Sequence, residues 1–327
     1  MDRFESMTAF VMVAKAGGFS AASRQLGIPL ATISRRVAEL ESELGVRLLH
    51  RSTRQVVLTE TGQAFFVTCQ RVLDDLKDAE EAVTGEYRSP KGDLTVTAPM
   101  GFGRLHLQPV ALEFLAAYPD INLRLQLVDR VVDLVEENVD LALRIAELPD
   151  SSMIARPLGH VRVVVSASPE YLDRRGTPTH PSELARHDCI AWSTLGPLNT
   201  WWFHDGGEDR AFPIRMRLST TSAESAIAAA QTGLGLTQTT CYQAVQGLRD
   251  GQLAIVLQEF ECAPTPVSLV YASNRLLPLK VRAFVDFAVP RLADRLRSIS
   301  STLAAATSRQ AAAPAGAARK KAKRGKR

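Results

Sequence analysis

The chain has 327 residues, of which 46% are hydrophobic and 23% charged, with four cysteines and a net charge of +4. That apolar content excludes a chain disordered throughout and allows two or three domains with sizeable cores. No apolar run reaches membrane-spanning length, and Asp2, Arg3 and Glu5 are not signal-peptide residues, so a cytoplasmic, nucleoid-associated protein without a membrane partner is expected.

The charge is unevenly placed. Removing Arg319, Lys320, Lys321, Lys323, Arg324, Lys326 and Arg327, seven cations, from the total of +4 leaves residues 1–318 at −3. Bulk electrostatics therefore does not assign the body a polyanionic partner, whereas the local run Arg24, Arg35, Arg36, Arg47, Arg51, Arg54 does. Cys69, Cys189, Cys241 and Cys262 form no Cys/His ligand spacing, so neither a structural zinc nor any other cofactor is expected.

Residues 2–16 predict a first helix with Phe4, Met7, Phe10, Val11 and Ala14 on one side, ended by Gly17-Gly18. Phe19-Ser20 reads as a hydrophobic staple plus N-cap of a short second helix that stops at Leu26-Gly27. A third helix is predicted over 29–44, where Ile33, Val37, Leu40 and Leu44 recur at four, three and four residues and form one core-facing stripe. Opposite it lie Ala31, Arg35, Ala38 and Ser42, with Thr32 and Ser34 on the flanks. The N-terminal half of this outer face is small, hydroxylated and cationic, while Glu39, Glu41 and Glu43 occupy the C-terminal half, which suits entry into a major groove by the N-terminal end. Helix, glycine turn, helix is the helix-turn-helix pattern. Residues 48–59 read as two short strands joined by a basic tip, a wing carrying Arg51 and Arg54. Ser20, Ala31, Thr32, Ser34, Arg35, Arg36, Arg51 and Arg54 are the candidate DNA contacts, with the first helix read as scaffold rather than as a further contact.

Phe19-Ser20-Ala21-Ala22-Ser23, Leu26-Gly27, Thr32-Ile33-Ser34-Arg35, Leu40-Glu41, Leu44-Gly45, Leu48, Arg51, Arg54 and Leu58-Thr59-x-x-Gly62 together resemble the winged helix-turn-helix of LysR-type transcriptional regulators. Ile28-Pro29-Leu30-Ala31 stands where that family commonly has Ser or Thr followed by Pro or Gln. The resemblance implies a multidomain chain: a winged helix-turn-helix over 1–59, a linker helix and hinge over 60–90, and a two-lobed α/β effector domain of the type 2 periplasmic-binding-protein kind over 91–300. The first lobe would comprise about 91–165 and 267–300, and the second about 166–266.

Along the linker, Phe65, Cys69, Val72, Leu76, Ala79 and Val83 repeat at four, three, four, three and four. That seam either packs on its own domain or pairs with a second copy, and the resemblance favours a dimerising helix. A homodimer or homotetramer on an inverted-repeat operator in double-stranded DNA would follow, with RNA polymerase as a further candidate partner.

After a hinge at 85–92 the chain alternates. Strands are predicted at 94–98, 121–127 and 139–144, and helices at 103–118, interrupted near Pro109, and 133–138; together they give a mainly parallel sheet. A hairpin about His204-Asp205-Gly206-Gly207, an Ala-rich helix over 222–232 and a helix over 279–299 follow. After Ser301 the composition predicts a disordered basic tail.

The resemblance places a small-molecule effector between the lobes, at Pro99, Met100, Gly101, Phe102, Asp129, Arg130, Arg144, Trp192, Ser193, Thr221 and Ser222, where a small organic acid is expected. Arg144 reads equally as an inter-lobe salt bridge, and Thr220 to Ser222 as a helix cap. One branch of the family senses oxidants through paired cysteines, which here would join Cys189 to Cys241 or Cys262; isolated cysteines more commonly serve as buried apolar groups. The histidines show no grouping and read as surface or packing residues. The rival readings are a non-specific DNA-coating protein that uses the tail and an enzyme on a solute-binding-like domain; no catalytic pairing at recognisable spacing supports the enzyme.

Overall fold

A computed structural model describes residues 2–51, 56–84, 89–148, 153–192, 199–272 and 277–312. Two compact units divide the chain: residues 1–92 with 274–282, and residues 93–273 with 283–327.

In the first unit, α1 (Arg3–Ala16) is capped by Asp2, whose Oδ1 accepts the amides of Phe4 and Glu5 at 2.9 and 3.3 Å. It ends at Gly17, whose φ of +69° lies in the left-handed region that favours glycine. The next helix, α2 (Phe19–Leu26), starts at Phe19 itself, with extended Gly18 in the cap position. Ser20 is therefore an exposed first-turn residue, and the expected Ser20 cap is corrected. The Ser23 hydroxyl donates to the Ile28 carbonyl at 2.6 Å and clasps the turn that leads into α3 (Leu30–Leu44). The wing strands β1 (Leu49–Arg51) and β2 (Val56–Leu58) pair antiparallel, and α4 (Glu60–Thr84) follows.

Ile33, Val37 and Leu40 are fully buried against Phe10, Val13, Ala22, Leu48 and Leu49, as the stripe predicts. Cys69 is fully buried in the same core, where Phe65 also packs, 5.8 Å from the Phe10 ring. These two linker residues are committed to their own domain, because the first turns of α4 form its fourth wall. Val72 is exposed and Leu76 half-buried, while the side chains of Ala79 and Val83 lie outside the described residues, as do hinge residues 85–88.

The second unit holds two five-stranded sheets. The first has order β4-β3-β5-β14-β6, from β3 (Gly92–Ala98), β4 (Ile121–Leu127), β5 (Leu141–Ile145), β6 (Met153–Val161) and β14 (Thr265–Ala272). The second has order β11-β8-β12-β7-β13, from β7 (Val163–Ala167), β8 (Asp188–Trp192), β11 (Arg215–Thr220), β12 (Leu236–Thr240) and β13 (Ala254–Val256). Both are mixed rather than mainly parallel: β3 pairs parallel with β5, and β8 with β11 and β12, but β14 is antiparallel to β5 and β6, and β7 to β12 and β13. The antiparallel strands are those on either side of the two crossings between sheets. Since β7 belongs to the second sheet, the outward crossing falls at Arg162, a few residues before the expected boundary. The hairpin of β9 (Thr200–Asp205) and β10 (Glu208–Pro213) turns on Gly206 and Gly207, with φ of +65° and +89°.

Helices dock on both lobes: α5 (Met100–Phe102), a π turn (Gly103–Leu107) and α6 (Gln108–Ala117) on the first, and α7 (Pro169–Arg175), α8 (Ala223–Gln231) and α9 (Cys241–Arg249) on the second. The sequence reading broke the first of these helices at Pro109; instead it runs on from Met100 to Ala117, and the irregularity is the π turn, where the Gln108 amide donates to the Gly103 carbonyl. Pro109 then sits in a first-turn position that needs no donor. Residues 133–138, expected as a helix, form a single turn, with Asp133 Oδ1 accepting the Val135 and Glu136 amides and Asn138 left-handed at φ +52°. The last helix, α10 (Leu279–Ala312), overruns the expected disorder at 301: Leu296, Ile299, Leu303 and Ala306 form one buried stripe, and the alanines after it favour helix. The basic residues 319–327 lie outside the described residues.

Thr59 and Gly62 join wing to linker. The Thr59 hydroxyl donates to the Arg47 carbonyl and accepts the Gly62 amide, both at 2.8 Å, and a Cβ on Gly62 would stand 2.0 Å from the Leu48 carbonyl oxygen. Gly62→Ala forces backbone apart and is expected to destabilise the N-terminal unit by about 2 kcal/mol or more, seen as a lower denaturation midpoint by circular dichroism. An unchanged midpoint would contradict this packing.

Candidate functional site

Burial of Ile33, Val37 and Leu40 fixes the rotation of α3 and decides what it presents. Ala31 and Arg35 are exposed and Thr32 and Ser34 half-buried beside them, so the structure brings these four onto one accessible face. Pro29 occupies the cap position without a side-chain hydrogen bond, which leaves the positive end of the helix dipole open to an anion. The Arg35 guanidinium lies along the outer face, 3.3 Å from Glu39 and 68% exposed, a pairing that phosphate or a base edge can replace. Arg36 departs from its expected role: it turns inward to pair with Glu5 of α1 and is only 19% exposed. The side chain of Arg51 and all of Arg54 lie outside the described residues.

Sequence reasoning missed Glu41. Instead of facing away as a spare acid, its Oε1 accepts the amides of Leu48 and Leu49 at 2.8 and 3.0 Å, tying the helix to the root of the wing. An acid one residue beyond the buried Leu40, with a strand a few residues later, was the available signal.

Between the lobes of the second unit, the expected effector residues separate into several fates. Pro99 and Met100 begin α5, with Met100 half-exposed and its amide donated to Asp129 Oδ1 at 2.9 Å. Gly101 is covered by α9, since a Cβ there would stand 2.7 Å from Gln243 Nε2. Phe102 is fully buried, 4.9 Å from the His106 ring and 5.2 Å from that of Tyr242, so it is an inter-lobe packing residue and has no free face for a ligand ring. Arg130 is held by both oxygens of Glu137 at 2.6 and 2.5 Å, and Arg144 donates to the Val132 carbonyl, so both guanidiniums are engaged within the first lobe. The Trp192 indole donates to the Gln238 carbonyl at 2.8 Å. Thr221 is exposed, and Ser222 Oγ caps α8 through the Ser225 amide at 3.2 Å while donating to Glu224 at 3.0 Å. Ser193 lies outside the described residues.

Arg104, which no motif singled out, does reach across the lobes: from the π turn it meets Glu224 of α8 at 3.1 Å, both side chains about half exposed. The only hint lay in its place, two residues past Phe102. His106, two residues further on, is read correctly as a packing residue but carries a cost, because its Nε2 is buried without a hydrogen-bond partner. Burial, aided by the charge of Arg295, lowers its pKa to about 4, so the ring is neutral. The cysteines are all free thiols. Burial pushes Cys69 up to about 11 and Cys189 up to about 12 and also raises Cys241 and Cys262, which disfavours the thiolate that oxidant sensing requires. Among the described residues no cluster of His, Cys, Asp or Glu could hold a metal, and no helix is long and apolar enough to cross a membrane.

Comparison with known proteins gives this geometry its family. Residues 4–63 match the family described as bacterial regulatory helix-turn-helix protein, lysR family, and residues 88–293 match the LysR substrate binding domain. An HTH-type transcriptional regulator of Xanthomonas campestris pv. campestris is 39% identical over 86% of this chain and 83% of its own length. The solved structure of CrgA, a LysR-type transcriptional regulator from Neisseria meningitidis, is 36% identical with a TM-score of 0.57, covering 88% of this chain and 98% of that one. The Vibrio cholerae virulence activator AphB, at 32% identity and a TM-score of 0.56, covers 88% of this chain and 98% of its own. The chain is a transcriptional regulator and belongs to the LysR family.

Proposed function

We propose that the protein binds an inverted-repeat operator as a homodimer or higher oligomer, entering the major groove with the N-terminal half of α3, and that an organic acid received between its regulatory lobes alters that binding. The observation that carries the DNA reading is the orientation of α3: the buried stripe leaves Ala31, Thr32, Ser34 and Arg35 on the accessible face at the uncapped end. Ser20, Arg51 and Arg54 flank this face in sequence and take the backbone-holding role. Arg36 is left out, because it is turned towards α1 and engaged with Glu5.

The effector reading rests on Arg104. A carboxylate arriving at the lobe junction can replace the Glu224 oxygens on this guanidinium, beside Ser222, whose hydroxyl donates to Glu224. Releasing Glu224 changes how the first lobe holds the second, a differential contact of the kind that shifts a conformational equilibrium.

Dimerisation falls to the outer part of α4. With Phe65 and Cys69 sunk in their own domain, exposed Val72 and half-buried Leu76 are the seam residues open to a second copy, and Ala79 and Val83 continue the spacing. Val72→Glu is expected to shift the sedimentation profile towards monomer without lowering helix content; an unchanged oligomer would exclude this face.

Arg35→Ala tests the groove assignment. Against a panel of operator variants it is expected to cost about 1–3 kcal/mol on sequences carrying the contacted base and to relax the preference at that position. An equal loss on every sequence would mean that Arg35 grips phosphate instead.

A further inference from the structure

A cavity of about 310 Å³, which Arg104 does not line, opens between the lobes along α9 and α10. Leu105 and His106 of the π turn and Arg295, Ser298, Ile299 and Thr302 of α10 form one wall, while Tyr242, Val245, Gln246 and Arg249 of α9 form the other. Its polar character is one-sided. Each wall contributes one guanidinium, and none of the ten lining residues is acidic.

The nearby acids are occupied at the margins. Exposed Glu113 reaches Arg295 only at 3.6 Å and shares itself with Arg291, and Asp250 accepts from Gln246 at 2.9 Å. Arg249 has the Thr302 hydroxyl at 3.5 Å, a marginal contact across the two walls. The His106 ring lines the same cavity, with its Nε2 buried from solvent and without a hydrogen-bond partner. A buried polar nitrogen left unsatisfied costs free energy that a hydrogen-bonding ligand recovers. Leu105, Val245 and Ile299 add apolar wall, and the volume falls at the lower end of the range for small-molecule sites.

We propose that this cavity is a second effector site, distinct from the Arg104 junction, that takes a small organic carboxylate held between Arg249 of one lobe and Arg295 of the other, with the His106 ring turning its buried Nε2–H towards the ligand as a further donor. The two guanidiniums supply charge-assisted hydrogen bonds, the neutral imidazole donates in the tautomer protonated on Nε2, and the apolar wall receives the hydrocarbon body. Inorganic phosphate satisfies the cations but leaves that wall uncovered. Because α9 moves with the second lobe and α10 packs on the first, an occupant bridges the same two bodies that Arg104 and Glu224 join. The two sites are then coupled through one lobe arrangement.

The test uses the full-length protein labelled at histidine, with the His106 ring signal identified by its loss in His106→Gln. Sodium benzoate is titrated against matched sodium chloride, with sodium phosphate as a parallel arm. Saturable movement of the His106 signal by benzoate at millimolar concentration, weakened about tenfold or more in Arg249→Gln and in Arg295→Gln, is the expected result. Both arginines are at least partly exposed, and circular dichroism checks that each variant keeps its fold. A His106 signal that benzoate does not move, a titration unchanged in the double variant, or saturation by phosphate at lower concentration than by benzoate would each overturn the proposal.

Discussion

Burial of three aliphatic side chains, Ile33, Val37 and Leu40, sets the rotation of α3, and the proposed DNA-facing surface depends on that rotation. A helix turned by half a revolution would present Ile33 and Val37 where Arg35 now stands. Truncating such buried residues typically costs 2–5 kcal/mol, so the orientation is held by much of the domain's own stability. Polar contacts then lock the position along and around the axis: Glu41 on the wing amides, Arg36 on Glu5, and the Ser23 hydroxyl on the turn. These contacts hold the reading face in shape before any DNA arrives, so association need not supply the ordering of the helix.

The regulatory unit follows a different logic. Its chain crosses between sheets at Arg162 and returns through residues 257–264, and the two crossings are joined by a bidentate pair, Arg162 to Glu261 at 2.6 and 2.8 Å. Glu261 is nearly buried and holds the Arg162 guanidinium in its charged form, so the pair is largely shielded from solvent screening. Beside this pinned hinge, the inter-lobe contacts include an aromatic cluster, Phe102 with His106 and Tyr242, the half-exposed Arg104–Glu224 pair and the marginal Arg249–Thr302 contact. A strong hinge with a weak exposed latch is the arrangement on which the proposed effector would act, competing with a latch contact and leaving the hinge intact.

Periodicity and glycine chemistry made the N-terminal domain legible in the sequence. The stripe of α3, the glycine stops at Gly17, Gly27 and Gly45, and the Thr59-x-x-Gly62 motif are all local signals, and each has a local physical cause in the structure. The Gly206-Gly207 hairpin was readable for the same reason. Side-chain partners across long sequence distances were not readable: nothing local told that Arg36 would find Glu5, that Arg162 would find Glu261, or that Phe102 would be enclosed by a helix 140 residues later. The candidate ligand residues divide between exposed positions and ones already engaged by neighbours, a division that could not be read from the sequence because position along the chain places a loop but does not say which of its charges are already neutralised. The tail was misjudged at its start, where alanine-rich composition was taken for disorder although Leu303 and Ala306 continue a buried stripe.

Sequence-specific recognition is the claim on which the regulatory account stands, and selection from a random double-stranded DNA pool by the purified full-length protein tests it most directly. At a salt concentration that suppresses non-specific binding, the account predicts enrichment of one two-fold symmetric sequence, with half-sites a whole number of helical turns apart. A selected pool no different from the starting one, retained only at low salt, would contradict it and leave a protein that coats DNA without reading it.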